Sequence, residues 1–377
     1  MKRLLPVLLC AALLAPAASA APACPPVSAA SALLMEQETG TILYEQNSHA
    51  HLEPASVTKV MTLLLIMEAL DSGRITKEDM VTVSPYAAGM GGSQVYLEPG
   101  EQMSVHELLK CIAVSSANDA AVAMAEHLCG SETAFVQQMN ERAAQLGMAD
   151  TRFSNCTGLP VSDHYTCAYD IALMSRQLLL YHPDIRSYTT IWMDTIRNGA
   201  FGLSNTNRLI RFYPGAVGLK TGFTDTALYC LSAAAEREGM TLIATVMGST
   251  SSDERFQAAR SLLDYGFANY SLTTIHPQQA LPTVPVLLGE GELVQPVPEY
   301  DCRLLLPKGQ SGQVTTEFTL ADNVEAPVEQ GQRLGEMTVC VDGTVMTSVP
   351  LVAAHPVARL TFPALLSRFM RQLLLAG

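Results

Sequence analysis

The chain has 377 residues, long enough for two domains, with apolar content sufficient for a sizeable core. Its formal net charge of −13 excludes nucleic acid as a partner, because phosphate binding needs concentrated Lys and Arg. No interior apolar run is long enough for a transmembrane helix.

The first residues read as a secretory signal. Lys2 and Arg3 form a basic start, residues 4–14 an apolar run too short to span a bilayer, and Ala18-Ser19-Ala20 a small-x-small site. The signal peptide is therefore placed at residues 1–20, and its loss makes the mature chain two charges more acidic. Export permits disulfides, but the cysteines form no C-x-x-C pair and no compact framework. Cys111 and Cys129 fall in apolar helical stretches and read as small core residues. Cys156 and Cys167 flank one loop and are the candidate pair. No His, Cys or Asp grouping has metal-ligand spacing, so no metal or other cofactor is expected.

Residues 32–44 read as two strands around the turn Glu38-Thr39-Gly40. A helix follows Pro54, with Ser56-Val57-Thr58-Lys59 at its start and the apolar residues Val60, Met61, Leu63, Leu64, Ile66, Met67 and Leu70 behind. Several helices follow between residues 104 and 180, broken by Gly130 and by the loop at 157–166. Ser116-Ala117-Asn118 lies at a break between helical stretches 108–114 and 120–128. Lys220-Thr221-Gly222 comes next, then strands at 228–235 and 241–247 and an amphipathic helix at 252–268. With strands at both ends and helices in the middle, residues 27–270 read as one α/β unit whose sheet is completed by distant segments.

The composition then changes. Residues 274–354 are rich in Pro and Val and broken by Gly turns into short runs, such as 284–288, 303–306, 317–320 and 337–341, which read as a small all-β domain. Residues 356–377 end in an amphipathic helix. Leu365, Leu366, Phe369, Met370, Leu373 and Leu374 share one arc, and Ser367, Arg368, Arg371 and Gln372 share the other. A basic amphipathic end on an acidic protein suits an anionic membrane surface.

Three short motifs carry the chemistry. A serine hydroxyl is a poor nucleophile at neutral pH and needs a base. Ser56 and Lys59 are three apart, so a helix puts them on one face. The apolar residues behind Lys59 point to burial, which lowers an amine's pKa and makes it usable as a base. At the break between helices, Ser116 is placed to relay a proton, and Asn118 to hold a substrate amide or the lysine. Lys220 offers a cation to an anionic substrate end, Thr221 a hydroxyl, and Gly222 room for a ligand backbone. Each motif alone is common. An S-x-x-K, an S-x-N and a K-T-G in this order are not. Nothing in the sequence places His106, His127 or His164 beside Ser56.

On these motifs the chain resembles the low-molecular-mass penicillin-binding proteins that are serine-type D-alanyl-D-alanine carboxypeptidases (peptidase family S11). The resemblance covers nearly the whole chain. It rests on Pro54-Ala55-Ser56-Val57-Thr58-Lys59, Gly92-Ser93 with Leu97, Ser115-Ser116-Ala117-Asn118-Asp119-Ala120, Asn155 to Pro160 with His164-Tyr165, Ala168-Tyr169-Asp170, and Gly218-Leu219-Lys220-Thr221-Gly222-Phe223-Thr224. Ala117 stands where members carry aspartate or glycine, and Thr226-Ala227-Leu228 where many carry a glycine. The resemblance implies a DD-peptidase/β-lactamase-like domain, an antiparallel sheet flanked by helices with a helical subdomain, followed by the β-rich domain and a membrane-anchoring helix. It implies that Ser56 attacks the bond between two D-alanines of a peptidoglycan stem, with Lys59 as base. Ser116, helped by Asn118, returns a proton to the leaving group, and Lys220 and Thr221 hold the terminal carboxylate. It further implies that the backbone N–H groups of Ser56 and Phe223 hold the oxyanion. β-Lactam antibiotics are expected to acylate Ser56, and the protein to sit on the outer face of the cytoplasmic membrane.

A β-lactamase shares the three motifs, but class A enzymes add a glutamate that activates the deacylating water. Glu126, Glu132 and Glu141 lie in helical patterns, and none starts an E-x-x-L-N. A non-catalytic penicillin sensor is expected to lack one motif, and none is missing. An endopeptidase that cleaves peptidoglycan cross-links is not separated from a carboxypeptidase by sequence.

Overall fold

The computed structural model describes residues 24, 26–309, 314–366 and 370. The expected signal peptide lies outside the described residues, as do Phe369, Leu373 and Leu374 of the C-terminal arc. The chain divides into two compact units. One consists of Cys24–His276 with Asp301–Leu306, and the other includes Pro277–Tyr300 and the described part of Pro307–Gly377.

The first unit is built on a five-stranded sheet, in the spatial order Ile42–Gln46, Ser31–Glu36, Met240–Ser249, Leu228–Arg237, Ala216–Thr224. Every neighbouring pair is antiparallel. The Ser31–Glu36 strand is buried along its whole length because it lies inside the sheet with both faces covered. Leu33 and Met35 join one apolar cluster, with the helices Lys59–Asp71, Val105–Ser115, Asn118–Cys129 and Ala168–Tyr181. Ala32 and Leu34 join the other, against the Ser252–Asn269 helix. The alternation of side chains along a strand thus divides the unit into two layers of core. The Lys59–Asp71 helix is mostly apolar and buried up to Met67, with Val60, Met61, Leu63, Leu64, Ile66 and Met67 each at most 1% exposed, and only Glu68, Leu70 and Asp71 at its end reach solvent.

The second unit holds a four-stranded antiparallel sheet, in the order Pro296–Pro298, Thr344–Ala353, Arg333–Val341, Val314–Leu320, and a three-stranded sheet centred on Val284–Leu287. Its small core gathers Val284, Val286, Val294, Ala326, Val328, Leu334 and Ala353. The run at 303–306, read from the sequence as part of the β-rich stretch, lies in the strand Cys302–Pro307, which pairs with Tyr270–Ile275 and packs with the first unit. The cause is side-chain chemistry. Leu305 packs on the apolar cluster behind the main sheet, and the Arg303 guanidinium donates to the Glu38 carboxylate and to the Gly239 carbonyl.

The candidate disulfide does not form. Cys156 and Cys167 are both free and both fully buried. Residues 362–366 are helical and carry Phe362, Leu365 and Leu366 at half exposure or more. No helix among the described residues is long and apolar enough to cross a membrane.

Candidate active site

Ser56 lies on a short 3-10 turn, Ala55–Thr58, that runs straight into the Lys59–Asp71 helix. The turn is held partly by the absence of side chains around it. A Cβ on Gly222 would lie 2.6 Å from the Pro54 carbonyl oxygen and 3.1 Å from the Ser56 nitrogen. The sequence reading left this room for a ligand. The structure fills it with the protein's own turn, which brings the Ala216–Thr224 strand against the backbone at Ser56.

Lys59 is fully buried, and its ammonium donates three hydrogen bonds: to Ser56 Oγ at 2.9 Å, to Asn118 Oδ1 at 2.6 Å and to the Thr157 carbonyl at 2.8 Å. Burial lowers its pKa to about 7, against a partial offset from the Asp119 carboxylate. A large share of the amine is then neutral at physiological pH, within hydrogen-bond reach of the hydroxyl it would deprotonate.

Ser116 and Asn118 come from the break between two helices. The Val105–Ser115 helix ends because Ser116 adopts a left-handed conformation (φ 62°), and the next helix begins at Asn118. The turn aims the Asn118 side chain back at Lys59, while its amide group donates to the Gly91 carbonyl at 2.6 Å. A Cβ on Gly92 would lie 2.7 Å from that amide nitrogen, so the glycine there is a packing requirement. Asp119 is buried and accepts from the Val95 and Leu97 amides, fixing the loop that holds Asn118. Ser116 is 4% exposed, yet its Oγ has no hydrogen-bond partner among the described residues. A buried hydroxyl left unpaired has a destabilising cost and calls for an explanation other than packing.

Lys220 and Thr221 lie within the edge strand of the sheet. Lys220 is 1% exposed, and its ammonium donates to the Thr221 carbonyl at 3.0 Å. No described carboxylate pairs with it. Burial, reinforced by repulsion from Lys59 and Arg255, pushes its pKa well below the usual lysine range. The Thr221 hydroxyl donates to Thr206 Oγ1 at 2.6 Å. Phe223 is half exposed, its ring 4.4 Å from that of Tyr229.

Three further contributors were given no role from the sequence, although Asn155 and His164 lie in stretches that carry the family resemblance. Arg255, on the Ser252–Asn269 helix, is buried and donates to the Gly222 carbonyl at 3.0 Å and the Cys230 carbonyl at 3.2 Å, bracing the strand from behind. Burial lowers its pKa to about 10. His164 sits near the motif, though not on Ser56. Its Nδ1 accepts from the Ser154 amide, so its Nε2–H faces Thr58 Oγ1 at 2.7 Å. Burial lowers its pKa to about 4, which keeps it neutral. Asn155 Oδ1 accepts from the Thr157 and Gly158 amides and so shapes the loop whose carbonyl meets Lys59. These residues lie far from the motifs along the chain, and only folding joins them.

Known proteins share this arrangement of sequence and fold. The pattern of the D-alanyl-D-alanine carboxypeptidase family, peptidase S11, matches residues 17–251, and that of the penicillin-binding protein 5 C-terminal domain matches residues 270–359. The chain is 43% identical over 347 residues to the D-alanyl-D-alanine carboxypeptidase DacF of Bacillus subtilis, covering 91% of this chain and 89% of that one. Among solved structures, penicillin binding protein 5 from Haemophilus influenzae superposes with a TM-score of 0.76 at 30% identity, covering 89% of this chain and 99% of that one. Penicillin-binding protein D2 from Listeria monocytogenes, in an ampicillin-bound form, superposes with a TM-score of 0.59 at 33% identity, covering 64% and 98%.

Proposed function

The chain belongs to the D-alanyl-D-alanine carboxypeptidase family, peptidase S11, and from that premise we infer that it removes the terminal D-alanine of peptidoglycan pentapeptide stems through an acyl-enzyme on Ser56. The observation that carries the mechanism is the buried Lys59 ammonium, 2.9 Å from Ser56 Oγ, with a pKa lowered to about 7. In its neutral form Lys59 takes the hydroxyl proton as Ser56 Oγ attacks the carbonyl between the two D-alanines. The negative charge that develops on that oxygen is met by the Ser56 and Phe223 amides, on the turn and strand that Gly222 brings together. Ser116, whose hydroxyl has no partner among the described residues, passes a proton to the departing D-alanine nitrogen. Lys220 is a buried amine without a described carboxylate, and the terminal carboxylate of the substrate favours its charged form. Asn118 keeps Lys59 in line between steps, and water releases the acyl group. β-Lactams enter the same path as mimics of the D-Ala-D-Ala end, in keeping with the ampicillin-bound relative.

We also assign the mature protein to the outer face of the cytoplasmic membrane, held by its C-terminal arc. The exposed Phe362, Leu365, Leu366 and Met370 support that reading.

The test is digestion of purified muropeptides followed by mass spectrometry. Pentapeptide monomers should lose one alanine, and Ser56→Ala should be inert. Cleavage of cross-linked dimers with pentapeptide monomers left intact would replace this reading with an endopeptidase.

A further inference from the structure

Away from the catalytic groups, three segments converge on one point. His49 and His51 follow the second strand, Asp150 precedes the Arg152–Tyr165 bridge, and Cys167 caps the Ala168–Tyr181 helix. One imidazole nitrogen of His49, one carboxylate oxygen of Asp150 and Cys167 Sγ all lie within 4.8 Å of one another, and His49 Nδ1 is 2.8 Å from Asp150 Oδ2. His51 Nε2 lies 2.9 Å from the other Asp150 oxygen, with its ring stacked on Tyr165 at 4.6 Å. Nothing in the local pattern points to this site, because the three donors are separated by about a hundred residues and by seventeen.

We propose that His49, Asp150 and Cys167 form a binding site for a divalent zinc-like ion, with His51 orienting the carboxylate. The donor set is the argument. Imidazole, carboxylate and thiolate together suit zinc, whereas hard ions such as calcium and magnesium take oxygen ligands. A tetrahedral zinc with bonds of about 2.0–2.3 Å holds its donors roughly 3.3–3.7 Å apart, so closing on the ion takes shifts of about 1 Å. The His49 side chain is 60% exposed and has room to make them. Cys167 is fixed and buried, and burial and the nearby Asp170 and Asp150 carboxylates push its thiol up to about 12, so the thiolate forms only with the ion's charge beside it; its sulfur accepts from the Asp170 amide at the start of the helix. The fourth position is left to water. On binding, the Cys167 thiol releases its proton to solvent. His49 moves its remaining proton to Nε2, so that Nδ1 and the carboxylate both turn to the metal. The ion would tie the segment leading to the nucleophile turn, which pairs with Thr166 through Leu52, to the start of the Ala168–Tyr181 helix.

The test uses the mature protein, stripped of metal by chelation and titrated with Co²⁺. One equivalent should give thiolate-to-cobalt charge-transfer absorption, zinc should displace it, and zinc should raise the Tm. Cys167→Ser, which keeps a capping hydroxyl, should lose the absorption. His49→Ala should weaken cobalt binding by about tenfold or more, and His51→Ala should weaken it less. Covalent penicillin labelling of each variant verifies its fold and is unaffected by failure of the metal site. The proposal is overturned if the wild-type protein shows no such absorption. It is equally overturned if the absorption survives in Cys167→Ser, which would assign it to another cysteine, or if His49→Ala titrates like wild type.

Discussion

Gly158 meets the turn of the nucleophile so closely that a Cβ built on it would stand 1.8 Å from the Ala55 carbonyl oxygen. Both residues adopt positive φ, 86° at Gly158 and 47° at Ala55. With Gly222 pressing from the other side, the backbone at Ser56 is fixed by two places where no side chain fits. Gly158→Ala should therefore cost about 3 kcal/mol or more in stability and nearly abolish acylation. Gly147 has a similar φ of 75° but open space around it, so Gly147→Ala should cost only about 1 kcal/mol and label normally. Thermal melts and fluorescent penicillin labelling of both variants check the contrast. Equal losses would mean that only the φ matters.

Ser116 should separate function from stability. Its hydroxyl is buried without a described partner, and its backbone is left-handed, so Ser116→Gly removes two unfavourable terms. The variant should melt at or above the wild-type temperature while turnover falls about 10²-fold or more, as expected for a lost proton relay. A parallel fall in Tm and rate would make Ser116 structural.

Acylation should depend on pH through Lys59. The working form is the neutral amine, and burial sets its pKa at about 7. The rate should rise about tenfold per unit below pH 7 and level off above it. Lys59→Arg cannot lose its proton and should acylate about 10³-fold more slowly at every pH. Stopped-flow acylation with a chromogenic cephalosporin across the pH range reads both. A flat wild-type profile would remove Lys59 as the base.

Lys220 should take up a proton when it binds an anion. Burial and two neighbouring cations favour its neutral form, and a substrate carboxylate favours the charged form. Binding of a D-Ala-D-Ala acid should therefore draw in protons and weaken as pH rises. Calorimetry of Ser56→Ala in buffers of different ionisation heat measures that uptake. Lys220→Ala should penalise the acid far more than its C-terminal amide, and equal losses on both would count against the carboxylate role.

Removal of the residues after Thr361 should release the mature protein from membranes and leave penicillin labelling intact. Six apolar side chains of the arc would each contribute roughly 1 kcal/mol or more at the interface, before ordering costs. Sedimentation with vesicles containing anionic lipid decides it. A truncated protein that still sediments defeats the anchor.

Much of the fold was legible because local patterns were strong. The two hairpins, 32–44 and 228–247, and the amphipathic helix at 252–268 correspond to strands and a helix found within a few residues of those limits. The pairing of Cys302–Pro307 with Tyr270–Ile275 was not legible, because it depends on contacts of Leu305 and Arg303 that local pattern does not register.

By itself the sequence determined which side chains are available and which pairs must share a face. Ser56 and Lys59 are three residues apart at the head of an apolar run, and a helix there leaves them no choice but to be close, with Lys59 buried. What surrounds that pair was decided only in three dimensions. Asn118 reaches Lys59 across 59 positions, the Thr157 carbonyl across 98, and Arg255 braces Gly222 across 33. Periodicity encodes how a segment turns its own faces. It does not encode which distant carbonyl or carboxylate will satisfy a buried charge, because that depends on how the packed layers come together.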